Sequence, residues 1–150
     1  MQSVKIVVTG PADAGKTTFI KSVSEITVLS AERKISDGSS EGGDETTATM
    51  DFGRMTISDD VVLYLFGTSG QKRFSSMWET LSEDMQGLIM LVDATVPDSF
   101  RDAITMIDFF NEISDVPYVV AVNKVTKNDE SRLARVRDSL KLDPDIPLFP

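Results

Sequence analysis

Eight consecutive residues, Gly10-Pro11-Ala12-Asp13-Ala14-Gly15-Lys16-Thr17, constrain this chain more than anything else in it. They follow the spacing G-x-x-x-x-G-K-[ST], and each position has a physical reason. The glycines let the backbone curl until successive N–H groups point inward at phosphate oxygens. The helix that opens near Lys16 adds the positive end of its dipole. Lys16 reaches the β- and γ-phosphates, and the Thr17 hydroxyl is a ligand for Mg²⁺. Such a loop works only between a strand and a helix. Here a near-continuous β-branched run, residues 4–9, precedes it, and a helical stretch, residues 16–23, follows. A chance glycine turn has no need of that setting. The octapeptide and its neighbour nominate Gly10, Asp13, Ala14, Gly15, Lys16, Thr17 and Thr18 as nucleotide-binding residues.

The rest of the chain alternates in kind. Residues 36–47 read SDGSSEGGDETT, too polar and glycine-rich to pack, and are expected to form a surface loop. An interdomain linker is the competing reading, but too little chain precedes it to make a domain. Residues 49–57 and 61–66 read as strands of a hairpin around Ser58-Asp59-Asp60. Residues 75–85 carry helical spacing in Met77, Trp78, Leu81 and Met85. GLIMLV at 87–92 and YVVAV at 118–122 are buried strands, with a helix between them over 99–113. Residues 129–142 read as a charged amphipathic helix and residues 146–149 as a last short strand. This alternation predicts one α/β domain over residues 1–150. Its six-stranded, mostly parallel sheet has helices on both faces and its ligand at the carboxyl ends of the strands.

Two zeros in the composition exclude whole chemistries. Without Cys there is no disulfide, thiol nucleophile or thiolate metal site, and without His no Ser-His-Asp triad or usual zinc site. Oxygen ligands remain, and they suit Mg²⁺ or Ca²⁺. The net charge of −9 argues against nucleic acid and anionic membrane as partners. No signal peptide or lipidation motif is recognisable, so a soluble, cytoplasmic protein without a direct membrane anchor is expected. The methionines read as packing, Trp78 as core or interface, and Arg33, Arg54 and Arg73 as salt-bridge residues or charge-neutralising arginines.

Several motifs occur in the order and spacing of the Ras-like small GTPases, over roughly residues 4–142. Thr47-Ala48-Thr49-Met50-Asp51-Phe52 resembles the TIGVDF switch I of Rab-type members. The resemblance makes Thr47 the threonine that binds Mg²⁺ and meets the γ-phosphate, with Thr46 beside it as the alternative. Leu65-Phe66-Gly67-Thr68-Ser69-Gly70-Gln71-Lys72-Arg73-Phe74 is similar to WDTAGQERF. It implies that Gly70 donates to the γ-phosphate and that Gln71 orients the attacking water. The family's aspartate, which holds the Mg²⁺ shell, is Gly67 here; GTSGQ is most similar to the bacterial and archaeal MglA-type branch. Asn123-Lys124-Val125-Thr126 resembles the guanine-reading NKxD, with Thr126 in place of the aspartate.

The resemblance implies a P-loop GTPase domain acting as a GTP/GDP switch, its loops 36–47 and 67–74 ordered by GTP and Mg²⁺. It also implies slow hydrolysis by Gln71 and Lys16, an effector, and an activating protein, of roadblock type in MglA-like systems. A nucleotide-dependent binding module with little hydrolysis or relaxed base specificity is the alternative. The Ras-like fold has a final helix beside the first, and no sequence here supplies it. An apolar sheet face is then expected to be bare. Either the natural chain continues, or a second chain covers the face, or an earlier segment folds over it. Light scattering should show self-association, and a hydrophobic dye should bind. A strictly monomeric protein with little dye binding would show the face to be covered from within.

Overall fold

The computed structural model describes residues 2–36, 45–68, 75–125 and 129–150, with 30–36, 45–49 and 75–77 described by their backbone. The element order is β1 (Gln2–Thr9), α1 (Lys16–Val23), β2 (Leu29–Ser36), β3 (Glu45–Ser58), β4 (Val61–Gly67), α2 (Ser75–Ser82), β5 (Gly87–Asp93), α3 (Phe100–Ile113), β6 (Tyr118–Asn123), α4 (Glu130–Ser139) and β7 (Leu148–Phe149). A 3₁₀ turn at Pro97–Ser99 leads into α3.

The strands form one sheet in the order β2-β3-β4-β1-β5-β6-β7. Strand β1 is parallel to both β4 and β5, and β5–β6 and β6–β7 are parallel as well. Among the described residues only β2–β3 and β3–β4 are antiparallel. The α/β class, the mostly parallel sheet and the six expected strands are therefore present. A seventh strand, β2, joins them at the edge.

That extra strand corrects the reading of residues 36–47 as a loop throughout. Ser36 pairs with Glu45, Ile35 with Thr46 and Lys34 with Thr47, so both ends of the polar stretch are ladder. Thr46, Thr47 and Thr49 are β-branched and suit a pleated backbone. Residues 37–44 lie outside the described residues. Helix α2 also stops short of its expected end at Met85. Asp84, at a φ of 61°, turns the chain, although Met85 itself remains buried.

Side chains of alternate residues leave β1 on opposite faces. Val7 joins a large core with Trp78, Leu81, Met90, Met106, Phe110, Val120, Val122 and Val136, drawn from α2, α3 and α4 and the strands beside them. Val8 joins a smaller one with Ile20 of α1 and Leu65 of β4. Helix α3 turns Phe100, Ala103, Met106, Ile107 and Phe110 inward at helical spacing. Helix α4 is capped by the Asp129 carboxylate, which accepts from the Arg132 N–H at 3.1 Å. Among the described residues no helix is long and apolar enough to cross a membrane.

Trp78 proves to be core. It is 1% exposed and sits against Phe109 edge-on at 5.4 Å and Phe110 at 6.1 Å between ring centroids. Trp78→Ala should cost about 3–5 kcal/mol of stability in a denaturant titration. A loss well under ~1 kcal/mol would show that the ring does not close the core.

Candidate functional site

The strand β1 ends at the buried Thr9, and the octapeptide loops over the carboxyl edge of the sheet into α1. Two positions in the loop require glycine. Gly10, at a φ of 150°, stands where a Cβ would collide with the Leu91 carbonyl oxygen of β5. Gly15, at a φ of 104°, faces the Asn123 side-chain amide so closely that a Cβ would overlap it. Helix α1 begins immediately afterwards with no side chain capping it, so its first N–H groups are open to a ligand.

Lys16 folds back over the loop. Its Nζ donates to the carbonyls of Gly10 at 2.7 Å and Pro11 at 2.8 Å. Burial lowers its pKa to about 8, against the opposing pull of the Asp13 and Asp51 carboxylates. An anionic ligand would relieve that cost of burial. The next residue, Thr17, is exposed towards the loop opening, and its hydroxyl donates to Asp51 Oδ2 of β3 at 2.5 Å.

Strand β6 delivers the other wall. The Asn123 Nδ2 donates to the Ala14 carbonyl at 3.0 Å, tying the loop to the end of β6. Its Oδ1 accepts from the Lys124 N–H at 2.9 Å. Lys124 takes a left-handed φ of 59° and its ammonium meets Asp93 Oδ2 at 2.7 Å. Asp93 is buried, which would push its carboxyl up. Hydrogen bonds from Lys124 and from the hydroxyl and N–H of Thr95, at 2.6 and 2.8 Å, outweigh burial and hold it below its ordinary value. On the other side of β1, the Thr68 hydroxyl donates to Thr9 Oγ1 at 2.9 Å, and its N–H donates to the Val8 carbonyl at 3.0 Å. These bonds hold the end of β4 against β1.

The result is an open pocket of about 510 Å³ lined by Asp13, Gly15, Lys16, Thr17, Thr18, Asn123 and Lys124. Every one of these is nominated by the sequence, and the Gly10 and Ala14 carbonyls accept from Lys16 and Asn123 of its lining. Gly70, Gln71 and Thr126 lie outside the described residues, as does the side chain of Thr47, whose backbone pairs with Lys34. Two carboxylates were missed as site residues. Asp51 lies within the switch-like motif but the resemblance gives it no role, and Asp93 lies outside every motif. A carboxylate ending the apolar run GLIMLV was the available signal for Asp93, because a buried charge demands a partner.

The donors near the loop fit Mg²⁺. They are oxygens only, Thr17 Oγ1 and the Asp51 carboxylate. No group of three or more His, Cys, Asp or Glu among the described residues forms a metal cage. Mg²⁺ characteristically takes one or two protein oxygens and completes its shell with water and substrate phosphates.

A family model described as "Conserved hypothetical ATP binding protein" matches residues 31–144. The chain belongs to this family. An uncharacterized protein of Methanocaldococcus jannaschii is 30% identical over 128 residues, 84% of this chain and 73% of the relative. Intraflagellar transport protein 22 of Chlamydomonas reinhardtii is 28% identical over 112 residues, 73% of this chain and 54% of the relative. The Ras and EF-hand domain-containing protein homolog of Mus musculus is 25% identical over 133 residues, 85% of this chain but 19% of the relative. Among solved structures, the Arf-like, Sar1-type small COPII coat GTPase of Encephalitozoon cuniculi in complex with GDP superposes with a TM-score of 0.63 at 17% identity. The match covers 97% of this chain and 67% of that one. This member of the conserved hypothetical ATP binding family thus has the fold of a small P-loop GTPase.

The tie from Asn123 to the loop should be separable from folding. Asn123→Ala leaves the Ala14 carbonyl without its partner, and fluorescent-nucleotide affinity should fall roughly tenfold, about 1–1.5 kcal/mol. Unchanged affinity would show that the loop holds its shape without β6.

Proposed function

We propose that this protein is a GTP-binding molecular switch that hydrolyses GTP slowly to GDP and phosphate with Mg²⁺. The observation that carries the reading is the shared pocket. A phosphate cradle, built by Gly15, Lys16, Thr17 and an uncapped helix end, opens beside Asn123 and Lys124, the residues the resemblance assigns to the base. The family match begins at residue 31, beyond the octapeptide, so the loop and the match support nucleotide binding separately.

In this reading Lys16 neutralises the β- and γ-phosphates, and Thr17 and Thr47 hold Mg²⁺. Gly70 and Gln71 meet the γ-phosphate and the attacking water. Residues 36–47 and 67–74 change with the bound nucleotide and are read by an effector, and an activating protein completes the site. The MglA-type placement, and with it a roadblock-type regulator, rests on the residues 67–71, and a cytoplasmic setting on the lack of a recognisable signal peptide or lipidation motif.

The base is where the supports diverge. The fold and the NK pair favour guanine, while the family's description names ATP and Thr126 offers a single hydroxyl in place of the two carboxylate oxygens that accept from guanine's two N–H donors. A second reading, a nucleotide-dependent binding module with little hydrolysis, draws on Gly67 and Thr126 and is opposed by Gln71.

Competition of GTP, ATP and XTP against a labelled guanine nucleotide tests the first reading. GTP should win by a modest margin that Thr126→Asp widens, and Lys16→Ala should abolish tight binding. ATP displacing the label better than GTP would overturn the guanine assignment, and wild-type affinity in Lys16→Ala would remove the phosphate-loop basis. Single-turnover phosphate release, slowed by Gln71→Leu without loss of affinity, separates the switch from the binding module.

A further inference from the structure

The nucleotide pocket uses the carboxyl end of β6, and a second groove, which the nucleotide reading leaves unused, opens at the strand's other end. It has a volume of about 430 Å³ and lies between the end of α3 and the segments that lead into β6 and β7. Five apolar or ring side chains line it. Val116, Tyr118 and Ile146 also pack against the large core, so they are held from behind. Pro117 and Pro147 are exposed beside them, and their backbone is pinned to the sheet. The Pro117 carbonyl accepts from the Leu88 N–H of β5 at 3.2 Å, and the Pro147 carbonyl from the Val120 N–H of β6 at 3.0 Å. With proline's φ fixed as well, the groove is preformed. Tyr118 and Asn123 open and close β6, so the groove and the nucleotide pocket stand roughly 16 Å apart along one strand.

The charge around the groove has one sign. Asp115 and Asp145 both line it, both are exposed, and among the described residues neither carboxylate meets a hydrogen-bond donor or a cation. Arg137 of α4 donates to the Asp143 carbonyl at 2.9 Å instead. Helix α3 reaches the groove with Asn111 and Ser114, and its last turn carries Glu112 and no basic residue. The negative end of its dipole is therefore not offset there. A second copy of this chain, at a net charge of −9, would bring like charge to the groove, and so would a nucleic acid. An arginine or lysine suits both features at once. Its apolar stem can lie on the proline and tyrosine rings while its charged head meets the carboxylates.

We infer that this groove is a docking site for a basic segment of a partner protein, one in which arginine or lysine stands beside apolar residues. The site is distinct from the loops assigned to the effector and does not depend on which nucleotide the chain binds. The competing account is that Asp115 and Asp145 are merely two solvated carboxylates beside a surface crevice.

Anisotropy of fluorescent eight-residue peptides separates the two. The probes combine arginine or lysine with leucine, proline or tyrosine. Each has one counterpart with glutamate at the basic positions and another with serine at the apolar ones. The full chain should bind basic-apolar probes about fivefold or more tightly than either counterpart, and less tightly as salt rises. Asp115→Asn with Asp145→Asn should weaken that binding about fivefold, since each exposed pair contributes little. Asp115→Lys with Asp145→Lys should turn the preference towards the glutamate counterparts. Nucleotide affinity should be unchanged in both variants, which also checks their fold. Should either variant not fold, the wild type still decides: its amide resonances should shift at Asp115, Tyr118 and Asp145 on adding the probe, and not at Lys16 or Thr17. The inference is overturned if no basic probe outbinds its glutamate counterpart, if the paired substitutions change nothing, or if the shifts fall elsewhere. It is equally overturned if the serine counterparts bind as well, or if spermidine displaces the probes at matched charge, because the groove is then a cation patch only.

Discussion

Val7 and Val8 are neighbours with no exposed surface, yet they belong to different cores. The rest of the structure depends on that double burial of β1. Where β1 is closed on both faces, at Val7 and Val8, it has no room for polar chemistry, so polar groups gather where it ends. Its parallel partners end at the same edge. Gly67 pairs with Val8, and Asp93 pairs with Asn123 one strand further on. Register therefore ends β4 and β1 together, while β5 runs on past Met90, the partner of Thr9, to Asp93 beside Asn123, and the octapeptide is laid across that step. The collision that a side chain at Gly10 would make with the Leu91 carbonyl shows how close that crossing is.

How much of this was legible depends on whether a residue's role is set by its neighbours in sequence or across the sheet. Strands β1, β5 and β6 lie in the middle of the sheet and announce themselves as apolar runs. The phosphate loop is contiguous, so its spacing alone nominates its residues. Strand β2, LSAERKIS, has neither apolar continuity nor clean alternation. It is an edge strand held by backbone pairing to β3, and a backbone ladder leaves little mark on side-chain choice. Asp51 and Asp93 were overlooked as site residues for a related reason. Asp51 matters because β3 brings it to the Thr17 hydroxyl, and Asp93 because Lys124 reaches back to it. Neither relation is local in the chain.

The electrostatics reconcile an acidic protein with a polyanionic ligand. A net charge of −9 is a property of the whole surface. Beyond the Debye length of about 8 Å at physiological salt, much of it is screened. At the loop the positive potential comes from Lys16 and from the open N–H groups of α1, which act at contact distance. Burial already depresses Lys16 to a pKa of about 8, so the bare loop holds its cation at a cost that phosphate would remove. The nearby carboxylates limit that cost by favouring the protonated form.

The two sides of the pocket differ in how they can absorb a lost carboxylate. On the phosphate side, antiparallel pairing makes positions 51 and 67 neighbours, and the Asp51 carboxylate accepts from the Thr17 hydroxyl at 2.5 Å. On the base side, the paired register stops at Asp93 and Asn123. The buried carboxylate at that point, Asp93, is already committed to Lys124 and Thr95. Moving it to read a base would strip Lys124 of its partner and leave two donors of Thr95 unmet. With Asp93 committed in this way, that carboxylate cannot stand in for a base partner at position 126, and under the proposed reading base selectivity is the property most exposed to Thr126.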